Sequence, residues 1–149
     1  MKPPIYSNVQ PDETPQHFMG RARMFLQAAT AISCDYVNGQ QNWPKYALLC
    51  HAAELALKAF VRAKEAQGTA VRMHNLHNHN LLGWYQLSVQ CGLTHGVEME
   101  ENIGALSELH HKALMRYPKR HSRPIPDLSF TDGTVEELIS FVSPFINSR

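Results

Sequence analysis

The stretch 46-YALLCHAAELALKAFVRAKEA-66 decides the fold. Its alanines and leucines are strong helix formers, and Leu48, Ala52, Leu55, Ala59 and Ala63 recur at the spacing of one helical face. Small residues on that face suit close approach of helix to helix. The spacing predicts a helix from near Pro44 to a stop at Gly68, and its apolar content makes it the central one. His51, Glu54, Lys58, Arg62 and Glu65 follow the same period on another face, with Glu54 four residues before Lys58. That row reads as a solvated surface, worth about 0.2–0.5 kcal/mol per pair.

Outward from this helix the pattern stays helical. Thr14 followed by Pro15 marks a helix start, and Phe18, Ala22, Phe25, Leu26, Ala29 and Ile32 continue at three- and four-residue steps toward about Asn38, before Gly39. Asn80 is a good cap for a helix bearing Leu81, Trp84, Tyr85 and Leu87 and stopping at Gly92. A fourth helix through 100-EENIGALSELHHKALM-115 carries Ile103, Leu106, Leu109 and Ala113 inward and ends before Pro118. Thr134 and Glu137 form a capping box for a last helix of Val135, Leu138, Ile139 and Val142, which Pro144 kinks or ends. No strand alternation stands out. The expected architecture is an all-α, up-and-down bundle of about five helices: residues 1–13 an extended leader, residues 14–149 one domain.

Composition narrows the function. A chain of 149 residues has room for one core, and a formal net charge of +1 with 18% charged residues excludes a general polyanion binder. There is no apolar run of membrane-spanning length and no secretory signal in the first residues, so a cytoplasmic protein is expected. Cys34, Cys50 and Cys91, an odd number in helical surroundings, read as buried, reduced thiols.

Local clustering remains. Leu114–Arg123, LMRYPKRHSR, gathers Arg116, Lys119, Arg120, His121 and Arg123 around Tyr117. Arginine holds phosphate in a bidentate fork, and a histidine can exchange a proton with a ribose hydroxyl or a leaving oxygen. Arg116 and His121 therefore supply, in principle, metal-free RNA cleavage, with Lys119, Arg120 and Arg123 adding backbone affinity and Tyr117 a stacking face. The plain alternative is a basic terminus complementing the helix dipole, as for His110 and His111. His74, His77 and His79 form an H-x-x-H-x-H cluster without an adjacent cysteine or carboxylate, so a loop is the simpler reading, and no metal or cofactor is expected. Phosphate-cradling glycine loops, serine elbows and zinc-knuckle spacings are absent from the sequence.

Three segments carry a family resemblance. 48-LLCHAAELALKAFVRAK-64 resembles the second-helix signature of HEPN domains, 79-HNLLGWYQLSVQCGL-93 their His-Asp-Leu segment with Asn80 in place of aspartate, and 106-LSELHHKALMRYP-118 their fourth helix ending in Arg-Tyr-Pro. The resemblance implies a helical bundle, homodimerisation, and a bacterial setting of toxin–antitoxin pairs, phage defence or nucleotidyltransferase partners. It makes Glu54, Lys58 and His79 signature positions. Its catalytic members are metal-independent ribonucleases with an arginine and a histidine separated by four to six residues, a spacing that Arg116 and His121 satisfy. Three readings follow: a dimeric module binding a nucleotide, RNA or protein partner through its basic helix terminus; a ribonuclease using Arg116 and His121; and a purely structural helical adaptor.

Overall fold

Asn42 starts the central element by accepting the Lys45 amide hydrogen on its side-chain oxygen at 3.3 Å, with Pro44 in the first turn. The computed structural model describes residues 14–69, 80–94, 96–111 and 127–147, and the leader lies outside them. Its helices are α1 (Pro15–Ala31), α2 (Trp43–Ala66), α3 (Leu81–Gln90), α4 (Val97–His111) and α5 (Leu128–Asn147), so the fold is an all-α bundle. Among the described residues no helix is long and apolar enough to cross a membrane.

The alanine-rich stretch is central, as its pattern requires. Every residue from Ala52 to Leu57 is buried, because α1 and α5 cover one side of α2 while α3 and α4 cover another. α1 runs antiparallel to it, with the Phe25 ring against His51 and the Ile32 carbonyl at Lys45. α5 runs parallel: Asp132 meets Lys45 near the two starts, and Phe145 meets Phe60 near the two ends. The Asn80 side chain accepts from the Gly83 amide at 3.0 Å, and Gly92 takes a positive φ just past the end of α3, as the sequence predicts.

Three boundaries differ. α1 stops at Ala31 rather than near Asn38, and a two-residue ribbon follows, Tyr36–Val37 (β1) pairing antiparallel with Gln40–Gln41 (β2). The cause is Asn38-Gly39: both take positive φ, 53° and 76°, the geometry of a tight hairpin turn rather than of a helix end. Cys34 is consequently exposed in the connection, outside any helix, and only Cys50 is fully buried. α5 begins at Leu128, six residues before Thr134, because Asp127 takes the cap position and accepts the Ser129 amide at 3.2 Å. The Thr134 hydroxyl instead donates back to the Phe130 carbonyl within the helix. Pro144 neither ends nor precedes the end of α5 by more than the last turn, since the helix continues to Asn147.

One polar cluster holds the base of the bundle. Lys45, 5% exposed, directs its ammonium to Asp35 and Asp132, each at 3.1 Å, and to the Ile32 carbonyl at 3.2 Å. These partners come from the α1–β1 connection and from α5. Burial alone lowers the Lys45 pKa, but hydrogen bonds and charge from Asp132 and Asp35 outweigh it and hold the group above its usual 10.5.

Lys45→Met should cost about 1.5–3 kcal/mol in urea unfolding near neutral pH, since it removes the shared cation from two half-buried carboxylates that solvent still partly screens. Because the folded-state pKa exceeds the unfolded one, this contribution is complete below about pH 10.5 and fades as pH rises through the folded value. The wild-type chain should therefore lose its margin over Lys45→Met in strongly alkaline buffer. A loss below about 1 kcal/mol at neutral pH would contradict the central role of this ion cluster.

Candidate functional site

Of the residues singled out in the sequence, Glu54 and Lys58 are described, whereas Arg116, Tyr117, Lys119, Arg120, His121, Arg123 and the cluster His74, His77 and His79 lie outside the described residues. Among the described residues no group of three or more His, Cys, Asp or Glu is placed to hold a metal ion.

The expected solvated row on α2 is only partly so. Glu54 is 1% exposed, a buried carboxylate on the central helix, with Lys58 Nζ at 3.9 Å and His51 Nδ1 at 3.6 Å. The second contact becomes an ion pair when the imidazole is protonated. The period places Glu54 correctly, but α3 packs over that side of α2, and Lys58 spans the junction with its ammonium 5.4 Å from the centre of the Trp84 ring. His51 is wedged edge-on against Phe25 at 4.4 Å. Lys58, held by Glu54, thus joins α2 to α3, and Arg62, paired with Glu65 at 3.2 Å, keeps the surface role that the sequence suggests.

α4 reaches this region by its last described turns. The Cys50 thiol donates to the Leu106 carbonyl at 3.9 Å, and the Ser107 hydroxyl accepts the Leu82 amide hydrogen at 3.0 Å, so α4 is fastened to α2 and to the first turn of α3. Burial, and then the charge of Glu54, push the Cys50 thiol up to about 12. Burial and the Glu100 carboxylate likewise push Tyr85 up to about 12. The basic stretch follows α4 in sequence and lies outside the described residues.

The electrostatics of the described residues sharpen its significance. Each lysine and arginine among them has an internal partner: Lys45 its two aspartates, Lys58 Glu54 and Trp84, and Arg62 Glu65. Lys64 lies over Phe60 and Phe145, Arg21 over Phe18, and Arg23 donates to Ser143 Oγ at 3.1 Å. Against these six cations stand eleven acidic side chains, a formal charge of −5 for the described residues. Residues 112–126 contain five cations, Lys112, Arg116, Lys119, Arg120 and Arg123, and no acid. Positive charge is concentrated outside the described helices, on the stretch that joins α4 to α5.

A concave surface lies between α4 and α5, where Glu98 and Asn102 face Ser129, Phe130 and Glu137. Placing the start of the last helix at Thr134 hides it, because Ser129 and Phe130 then read as loop. Asp127 before Leu128 is the available signal. Comparison with protein-family models, curated proteins and solved structures gives no match.

The thiols provide a check on these environments. Alkylation of the native protein near pH 8, followed by mass spectrometry, should modify exposed Cys34 first and half-buried Cys91 more slowly, with Cys50 protected until unfolding. Modification of Cys50 at the rate of Cys34 would contradict the packing of α4 on α2.

Proposed function

We propose that the chain is a dimeric helical module that binds RNA or a nucleotide through its basic stretch, Leu114–Arg123. One observation carries this reading: every described cation is engaged within the fold, while residues 112–126 concentrate five positive charges with no acid. A chain of net charge +1 with an acidic helical body attracts polyanions only where its cations are gathered. Lys119, Arg120 and Arg123 hold phosphates in this reading, and Tyr117 stacks on a base. The resemblance to HEPN domains supports the same direction. It adds a cytoplasmic bacterial stress or defence setting, with an antitoxin or nucleotidyltransferase as protein partner and His79 as a signature position beside Glu54 and Lys58. Those two residues act structurally, Lys58 bridging α2 to Trp84 on α3 and Glu54 holding Lys58 in place.

The ribonuclease reading is kept for one reason: Arg116 and His121 are separated by four residues, the spacing of the catalytic members that the sequence resembles. In it Arg116 stabilises the five-coordinate phosphorane and His121 transfers the proton, with no metal or cofactor.

Fluorescence anisotropy with a labelled single-stranded RNA, over a salt series in chelator, tests both. Affinity should fall steeply with salt, and replacing Arg120 and Arg123 by alanine should reduce the logarithmic salt slope by about 1.4, or about 0.7 per lost phosphate contact. An unchanged slope would remove the basic stretch from the site. Cleavage of the RNA but not of its all-deoxy analogue, abolished in His121→Ala at unchanged melting temperature, would establish the ribonuclease; equal cleavage by His121→Ala would eliminate that histidine as the catalyst.

A further inference from the structure

The groove between α4 and α5 has a chemistry opposite to that of the basic stretch. It measures about 560 Å³, with Glu98, Met99 and Asn102 on one wall and Ser129, Phe130 and Glu137 on the other. Glu98 and Glu137 come from different helices, are exposed, and make no ion pair among the described residues. Glu101 and Glu136, equally exposed on the same two helices, extend the negative field. Phe130, a large apolar ring, is 52% exposed at this groove instead of joining the core that its helix otherwise covers.

These features select a ligand. The described residues bring no cation to this groove, and its negative potential repels phosphates and favours a positive group. A bare metal ion would engage the carboxylates and leave the Phe130 face and the buried Met99 side chain unused, and an ammonium, a compact point charge, can neither fork onto a carboxylate nor lie flat on the ring. A guanidinium engages all three kinds of surface, since it is planar, forks onto carboxylates and stacks on an aromatic face. Asn102 and Ser129 add an amide and a hydroxyl within the groove, suited to peptide N–H and C=O groups. We propose that this groove docks a basic, arginine-bearing segment of a protein partner. The chain then has two oppositely charged binding surfaces, one for a polyanion and one for a cationic peptide.

The test uses the full chain and a fluorescent arginine-rich peptide containing no acidic residue, beside the same peptide with citrulline in place of arginine. Wild-type protein should bind the arginine peptide at least about tenfold more tightly than the citrulline one. Glu98→Gln with Glu137→Gln should weaken binding about tenfold, as should Phe130→Ala, whereas Glu101→Gln with Glu136→Gln should change it less than about threefold. Melting temperatures should stay at the wild-type value, because the replaced side chains are exposed. Equal losses from both glutamate pairs would overturn the assignment in favour of a diffuse acidic field, and no binding by wild type would also overturn it. If Arg120→Ala with Arg123→Ala gains peptide binding that wild type lacks, the occupant is the chain's own basic stretch and the partner assignment fails.

Discussion

A single buried ammonium organises the base of this bundle. Lys45 stands in the first turn of α2, and its three oxygen partners are the Ile32 carbonyl just past α1, Asp35 in the connection, and Asp132 in α5. A charge taken out of water tolerates little error in the placement of its partners, so their positions fix one another. The α1–α2 turn, the hairpin and the entry of α5 are thereby set in register. The apolar packing of α2 could accept small rotations of its neighbours; the ion cluster narrows them. Tyr46, fully buried beside it with its pKa raised, first by burial and then by the charge of Asp127, belongs to the same fixed region.

Sequence periodicity revealed the helices because amphipathic spacing is a local property of the chain. Phe18, Ala22 and Ala29 on α1, Ala52, Leu55, Ala59 and Ala63 on α2, and Ile103, Leu106 and Leu109 on α4 all face the core as their spacing demands. Misread positions share one cause: a short polar motif has two local solutions and tertiary context selects between them. Thr134 and Glu137 match a capping box, yet Asp127 caps earlier and Thr134 bonds within the helix. Asn38-Gly39 serves a helix stop or a hairpin turn, and the two positive φ values belong to the latter. Glu54 looks solvated from its own helix, because nothing local announces that α3 will cover it. The groove at Phe130 was illegible for a related reason, since it exists only when the starts of α4 and α5 are brought together.

Charge is partitioned between structural and interacting roles. Four of the six cations within the described helices bridge elements: Lys45 across three segments, Lys58 onto Trp84, Lys64 onto Phe145, and Arg23 onto Ser143. Much of the acid on α4 and α5 is unmatched there, and the near-neutral total conceals an acidic body with a basic stretch. Net charge alone hides this division, on which both proposed binding surfaces rest.

The two carboxylates at Lys45 differ in how far along the chain they lie. Asp35 and Lys45 meet within the α1–α2 hairpin, by closing a short loop, whereas Asp132 arrives only when α5 docks after a much longer closure. Formation of the first pair is therefore compatible with an early, local folding nucleus, and the second belongs to the final consolidation of the bundle. Interactions made after the transition state govern how slowly a protein opens rather than how fast it forms. In that light Asp132 is a kinetic latch: it contributes to the lifetime of the closed bundle, while Asp35 contributes to finding it.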